Sequence, residues 1–381
     1  MRQADSLTTP LLERVHKAIT NAGGWLGFDL FMAMALYEPS LGYYANTSPK
    51  FGQMPQAGSD FVTAPEMSPL FGETLAQQVA QSLADSGTDE IWEFGAGSGA
   101  LAEQLMTHLK RQGCSLRHYH IMDLSGTLRK RQQTRLAPFG AQVRWLHQWP
   151  QALQGVVVGN EVLDAMPVQL LHRVGGAWHE RGVVSGPQGL AWQDRLTALR
   201  PPMEVPGEHD YLTEIQPQGE AFVRSLAQRL LASQRGGAAF FLDYGFPQSE
   251  YFHPERHMGT VMCHQAHRAD TDPLVSVGLK DITAHVNFTG MALAGQDAGL
   301  NVLGYTSQAR FLLNLGLAQR MEQATLPERT QAQRLLNNMK WASCSRCWGL
   351  PPTPTGKPKV LRTVTAATVF EFLKASTCCA G

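Results

Sequence analysis

Ile91-Trp92-Glu93-Phe94-Gly95-Ala96-Gly97-Ser98-Gly99 sets a carboxylate two residues ahead of a G-x-G-x-G cluster. Glycines let a ligand come closer to the backbone than a Cβ would allow. A helix beginning directly after them turns unpaired N–H groups toward that ligand. Dinucleotide-binding folds apply this geometry to a pyrophosphate, with G-x-G-x-x-G spacing. A carboxylate at Glu93 repels a pyrophosphate and suits the cationic methionine end of a sulfonium nucleoside. Asp123 falls at the C-terminal end of the next expected strand, where an acid can accept both hydroxyls of a ribose. That position serves a nicotinamide dinucleotide equally well, or a simple helix cap. The bare glycine turn has its own bland alternative, a bend that only packs a helix on a sheet. Taken together, Glu93, Gly95, Ala96, Gly97, Gly99, Asp123, Leu124 and Ser125 read as a cradle for S-adenosyl-L-methionine.

A second polar group follows a run of three valines, in Gly159-Asn160-Glu161-Val162-Leu163-Asp164. The C-terminal edge of a parallel sheet is where such folds bind ligands. The Asn160 amide can meet a substrate nitrogen, and Glu161 with Asp164 can form a paired acceptor for a guanidinium. The alternative is a capping Asp164 and a solvated Glu161.

The elements around these residues alternate between strand and helix. Strands are expected over 90–94, 118–123, 142–146, 155–160 and 238–243, and helices over 67–83, 100–111, 127–136 and 219–234. Repeated β-α units predict a parallel, doubly wound sheet. Residues 6–37 read as helical with a break at Gly23-Gly24, and a long Gly- and Pro-rich loop covers 38–65. Between 168 and 217 short strands at 169–173, 177–184 and 189–191 suggest an inserted antiparallel piece. The chain of 381 residues divides into N-terminal helices and loop (1–85), a core (86–320) carrying that insertion, and a C-terminal segment (321–381).

Lys+Arg and Asp+Glu both total 32, which argues against a sequence-independent nucleic-acid binder. No stretch approaches the roughly 18 apolar residues of a membrane span. No secretory signal is legible, and Cys114 and Cys263 are the only cysteines before residue 340. These features predict reduced thiols and a cytoplasmic protein.

Several motifs resemble one known family. Tyr37-Glu38-Pro39-Ser40-Leu41-Gly42-Tyr43-Tyr44 and the stretch from Gly58 to Glu73 are similar to signatures of the MidA-like methyltransferases. So are Asn160 to Val168, Leu242-Asp243-Tyr244-Gly245 and Asp281 to Phe288, in the family's order over about residues 25–320. The resemblance implies a Rossmann-like class I methyltransferase sheet. The family includes a mitochondrial complex I assembly factor that methylates an arginine, so a protein substrate, with arginine favoured, is the expectation. Glu161, Asp164 and Asn160 would then orient the accepting nitrogen. His285 would be a proton acceptor or a structural histidine, and a substrate loop holding Tyr43, Asp60, Thr63 and Glu66 would close over the site. Two alternatives stay open: a non-catalytic assembly factor using the fold as a platform, and an NAD-dependent oxidoreductase, against which the glycine spacing and Glu93 argue.

The C-terminus departs from the family, whose members end in a strand resembling M-G-E-L-F-K-V-L. Lys340 to Gly349, back-translated and read in another phase, yields M-G-E-L-F-K-V-L-G, which predicts a frameshift after about Met339. The sheet would then lose a strand or recruit a poor substitute such as residues 359–365. Cys344-x-x-Cys347 lacks the second half of a zinc site, so no metal is expected.

Overall fold

The computed structural model describes residues 2–46, 62–123, 125–337 and 368–374. Helices α1 (Arg2–Asn21) and α2 (Phe28–Tyr37) flank the short strand β1 (Leu26–Gly27). Then come α3 (Ala64–Met67), α4 (Pro69–Ser86), β2 (Glu90–Phe94), α5 (Ala100–Arg111), β3 (His118–Met122), α6 (Gly126–Arg135), β4 (Val143–Leu146) and β5 (Gly155–Asn160). The insertion holds β6 (Gln169–Val174), β7 (Ala177–Gly186), β8 (Gly189–Leu196) and β9 (Tyr211–Ile215). After it stand α7 (Pro217–Ala232), β10 (Gly237–Asp243), β11 (Gly245–Phe246), α8 (Gln248–Tyr251), β12 (Met262–Gln265), β13 (Arg268–Asp270), β14 (Asp281–Thr283) and β15 (Val286–Asn287). The chain continues through α9 (Phe288–Asp297), β16 (Leu300–Ser307), α10 (Gln308–Asn314), α11 (Leu317–Gln323), α12 (Leu326–Asn337) and β17 (Thr368–Lys374).

Among the described residues, seven strands form the main sheet in the order β16-β17-β10-β5-β2-β3-β4. The pairs from β10 to β4 are parallel, and β17 runs antiparallel to both β10 and β16. The apolar run Gly155-Val156-Val157-Val158 has no exposed face, because helices cover the sheet on both sides. One layer comprises α4, α5 and α10 to α12; α7 and α9 make up the other. Strand order reverses beside β2, which opens a crevice at the C-terminal ends of β2 and β5. At the opposite end of β5 the backbones crowd: a Cβ on Gly155 would lie 2.0 Å from the Glu90 carbonyl oxygen.

The inserted antiparallel sheet runs β1-β7-β6-β9, with β8 added on β7. α1 and α2 bury Leu11, Val15, Phe28 and Phe31 in the same cluster as Leu170 and Val183 of that sheet. The N-terminal helices are thereby brought to the crevice. Two features differ from the sequence expectation. β8 continues to Leu196, beyond the expected end at 191, and neither β9 nor the β12 to β14 sheet is signalled by local pattern. The antiparallel strand position beside β10 is filled by Thr368–Lys374 and not by 359–365. Residues 359–365, Met339, Cys344, Cys347, Cys378 and Cys379 lie outside the described residues. Sequencing the locus across codons 335–350 should reveal one extra or missing nucleotide; an intact frame ends the frameshift reading.

Candidate active site

The crevice is a cavity of about 890 Å³. On one side, Glu93, Gly95, Ala96, Gly97, Asp123 and Asn160 line it. Glu93, the penultimate residue of β2, is buried, and its Oε2 accepts a 2.8 Å bond from the Tyr119 hydroxyl, diagonally placed on β3. Gly95 and Gly97 have φ of +64° and +53°, a conformation that keeps the turn free of side chains and aims backbone into the cavity. Asp123 sits one residue past β3. Its Oδ1 accepts from the Ser125 N–H at 2.8 Å and its Oδ2 from Gln132 Nε2 at 2.7 Å. Gln132 also donates to the Gly97 carbonyl at 3.0 Å, tying the acid to the glycine turn. Glu93 and Asp123 face one cavity and feel each other's charge. Leu146, His147, Trp149 and Phe222 add an apolar lobe with the character of a base-binding pocket.

The other side is acidic and aromatic. Glu161, Asp164 and Asp281 open into the same cavity with Tyr37, Tyr44 and Tyr244. Tyr37 and Tyr44 stack with ring centroids 5.6 Å apart. The Tyr37 hydroxyl donates to the Ala165 carbonyl and that of Tyr44 to Asp281 Oδ1, both at 2.8 Å. Glu161 adopts φ +53°, strained for a residue with a side chain. Burial raises its carboxyl to about 8, aided by the charge of Asp243, against the Asn160 side chain and the Ala64 N–H that lower it. Asp164 is pushed up by burial and then by Asp243, Glu161 and Asp281. Among the described residues neither Glu161 nor Asp164 is paired with a Lys or Arg.

The structure redistributes the other sequence candidates. Gly99 does not line the cavity; at φ +82° it is the N-cap of α5. Ser125 is a cap too, its hydroxyl accepting from the Leu128 N–H. Tyr43 points into the core between the N-terminal helices and the inserted sheet, because the turn folds its N–H back onto the Ala35 carbonyl; its neighbour Tyr44 faces the site instead. Thr63 and Glu66 line the cavity, but Glu66 is held by the Ser98 hydroxyl and by Arg135 and braces the glycine turn. His285 faces the cavity with an unpartnered Nδ1; burial and Arg256 lower its pKa to about 4, so it is neutral and weakly basic at pH 7. Asp60 and Leu124 lie outside the described residues. Sequence reasoning assigned no role to Tyr37, Tyr44, Asp243, Asp281, Gln132 or Trp149. The strand-end position of Asp243 was the available signal.

Comparison with known proteins agrees with this geometry. Residues 73–306 match the family model described as "Putative S-adenosyl-L-methionine-dependent methyltransferase". The chain belongs to this methyltransferase family. A crystal structure from Burkholderia thailandensis with S-adenosyl-homocysteine bound is 41% identical, with a TM-score of 0.86 over 98% of this chain and 94% of that one. Curated relatives include the "Protein arginine methyltransferase NDUFAF7 homolog, mitochondrial" of Caenorhabditis elegans, 26% identical over 81% of this chain and 77% of that protein. The human "Protein arginine methyltransferase NDUFAF7, mitochondrial" is 25% identical over 84% and 76%. These relatives are named as mitochondrial proteins, which overturns the cytoplasmic expectation drawn from composition and the N-terminal residues.

The residues present fit the cofactor of this methyltransferase: a carboxylate for its cationic end, bare backbone in the middle and an acid for its ribose. Among the described residues no helix is long and apolar enough to cross a membrane, and no three His, Cys, Asp or Glu side chains gather as a metal site.

Two pH effects follow from the buried acids. Burial holds Glu93 at about 8, with Asp123 adding to the rise and Tyr119 opposing it. A cationic ligand favours the ionised form, so S-adenosyl-homocysteine, through its ammonium, should expel a proton at pH 7. Calorimetry in buffers of different ionisation enthalpy reads this release, which Glu93→Gln should remove; buffer-independent heats for the wild type would refute it. The second effect is on stability. Glu93 and Glu161 carry folded pKa values above their unfolded ones, so the folded state holds more protons as pH rises through that interval. Their stabilisation is complete below the unfolded values and is lost as pH climbs to about 8. His120 and His285, lowered to about 4, act oppositely, but only below the ordinary histidine value of 6.5. The melting temperature of the ligand-free protein should therefore fall between pH 6.5 and 8. Each acid contributes a slope of at most about 1.4 kcal/mol per pH unit. A flat or rising scanning-calorimetry profile there would contradict the assignment.

Proposed function

We propose that this methyltransferase acts on the guanidinium of an arginine in a protein. The observation that carries the reading is the pair Glu161, half-buried, and Asp164, buried, neither paired with any described cation and both open to the cavity that holds Glu93 and Asp123. Enclosed carboxylates without a counter-charge are costly, and a planar cation presenting several N–H donors relieves that cost better than a neutral acceptor. The stacked faces of Tyr37 and Tyr44 offer such a cation a flat wall. The curated relatives named as arginine methyltransferases support the same reading.

S-adenosyl-L-methionine supplies an electrophilic methyl group on a sulfonium. The chain's own work is to bring the two partners together in line, which accounts for most of the acceleration in such displacements. Glu161 and Asp164 hold the guanidinium and polarise it, and their charge lowers the cost of the extra positive charge on nitrogen as the N–C bond forms and the C–S bond breaks. The charge of the bound guanidinium favours the ionised form of these carboxyls, and the proton leaving that nitrogen then passes to one of them. His285, neutral and weakly basic, is less suited.

The test uses cells lacking this protein. Their lysate is incubated with the purified enzyme and tritiated-methyl S-adenosyl-L-methionine, and the labelled band is analysed by mass spectrometry. Methylated arginine is the expected product. Label on lysine, on a carboxylate or in RNA would overturn the acceptor assignment, and no label at all would favour a binding platform.

A further inference from the structure

We propose that Asp243 is a positioning residue for methyl transfer, holding the turn that aims Glu161 at the acceptor. Asp243 is the last residue of β10 and is 6% exposed. Its Oδ2 accepts three backbone N–H bonds, from Val162 at 3.0 Å, Leu163 at 2.8 Å and Asp164 at 3.3 Å. Oδ1 accepts from the Tyr244 N–H at 2.9 Å. One strand end thus grips a turn about 80 residues earlier in the chain. The preceding carbonyl, that of Leu242, takes the Glu161 N–H at 2.9 Å, so β10 holds Glu161 on both sides. Consecutive N–H groups converging on one oxygen make a nest that wants negative charge.

The grip matters because Glu161 sits in the left-handed region at φ +53°. That conformation is disfavoured for a residue with a Cβ and persists only where its surroundings over-determine it. Without Asp243, the N–H groups of residues 162–164 lose their shared acceptor and the turn can relax toward an ordinary conformation. Glu161 would then leave the acceptor cavity, while the glycine turn, which Val162 adjoins at Gly95, keeps its own ties to the Met122 carbonyl and to Gln132. A merely structural cap predicts lower stability and nothing specific to Glu161.

This proposal rests on the acceptor role given to Glu161 above, but not on the acceptor being arginine. A double-mutant cycle separates the possibilities. Wild type, Asp243→Ala, Glu161→Gln and the double variant are assayed for tritiated-methyl transfer from S-adenosyl-L-methionine into lysate protein of cells lacking this chain. Their affinities for S-adenosyl-homocysteine are measured by calorimetry. Asp243→Ala should slow transfer by about 30-fold or more, with S-adenosyl-homocysteine affinity within about twofold of wild type. The double variant should be no slower than Glu161→Gln alone, within about threefold, because the second change removes what the first already lost. Losses that multiply, a wild-type rate for Asp243→Ala, or cofactor affinity falling in step with rate would each overturn the proposal. Should the alanine variant not fold, Asp243→Asn, which keeps one acceptor oxygen without the charge, replaces it in the same cycle. A wild-type rate for Glu161→Gln overturns the acceptor role itself and this proposal with it. A slow Glu161→Gln beside a wild-type Asp243→Ala overturns this proposal alone.

Discussion

Gly97→Val should reduce S-adenosyl-homocysteine affinity by at least about 100-fold, equivalent to about 2.7 kcal/mol, in a protein that keeps its circular dichroism spectrum. Two costs combine. Gly97 has φ +53°, where a β-branched residue is strained by roughly 1–3 kcal/mol. A side chain would also add bulk to the wall that Gly97 forms in the cavity it shares with Glu93 and Asp123. The carbonyl of Gly97 accepts from Gln132, which in turn holds Asp123, so a shift of the turn loosens the ribose acid as well. Gly97→Ala should fall between, since it adds a smaller group with the same backbone preference. Calorimetric affinity within a few-fold of wild type for the valine variant would remove the glycine turn from the cofactor site.

Glu161→Gln should lower the rate of methyl transfer by about 100- to 1000-fold, the scale seen when one electrostatic contact to a transition state is removed. The amide fits the same space, keeps one acceptor oxygen and loses the charge. The loss should fall on turnover, because Glu161 faces the acceptor side of the cavity and Glu93, Gly97 and Asp123 are untouched. S-adenosyl-homocysteine affinity should stay within about twofold of wild type on the same reasoning. Stability makes a second, opposite readout. Burial holds the Glu161 carboxyl at about 8, so ionising it in the folded state is unfavourable, and a neutral isostere escapes that cost. The variant should therefore melt at a higher temperature than wild type at pH 8 and show less difference at pH 5. A fully active variant would place the acceptor elsewhere; an inactive variant with lost cofactor binding would show that Glu161 serves the fold.

The parts of the site that were readable in advance are local ones. Glu93 and the glycine turn lie within seven residues, and Asp123 directly follows the next strand, so their meeting requires only adjacent parallel strands. Asn160, Glu161 and Asp164 follow one buried strand and inherit its placement. What was not readable depends on contacts far apart in the chain. Asp243 meets the N–H groups of residues 162–164 only because β10 lies beside β5. Asp281 and Tyr44 meet across 237 positions. Choosing between Tyr43 and Tyr44 was beyond local pattern, since the turn after α2 sends one ring into the core and the other into the cavity.

By itself, then, the order of residues determined that a carboxylate and a glycine turn stand at the tip of β2, that an acid follows β3, and that further acids follow β5. Residue type, helix start and strand end are short-range properties, set by backbone sterics and by unpaired N–H groups. The tertiary structure alone decided that the acids after β5 share one cavity with Tyr37 and Tyr44 and that their turn is gripped from β10. Burial and charge proximity arise only when distant segments pack, and they raise the proton affinity of the carboxylates.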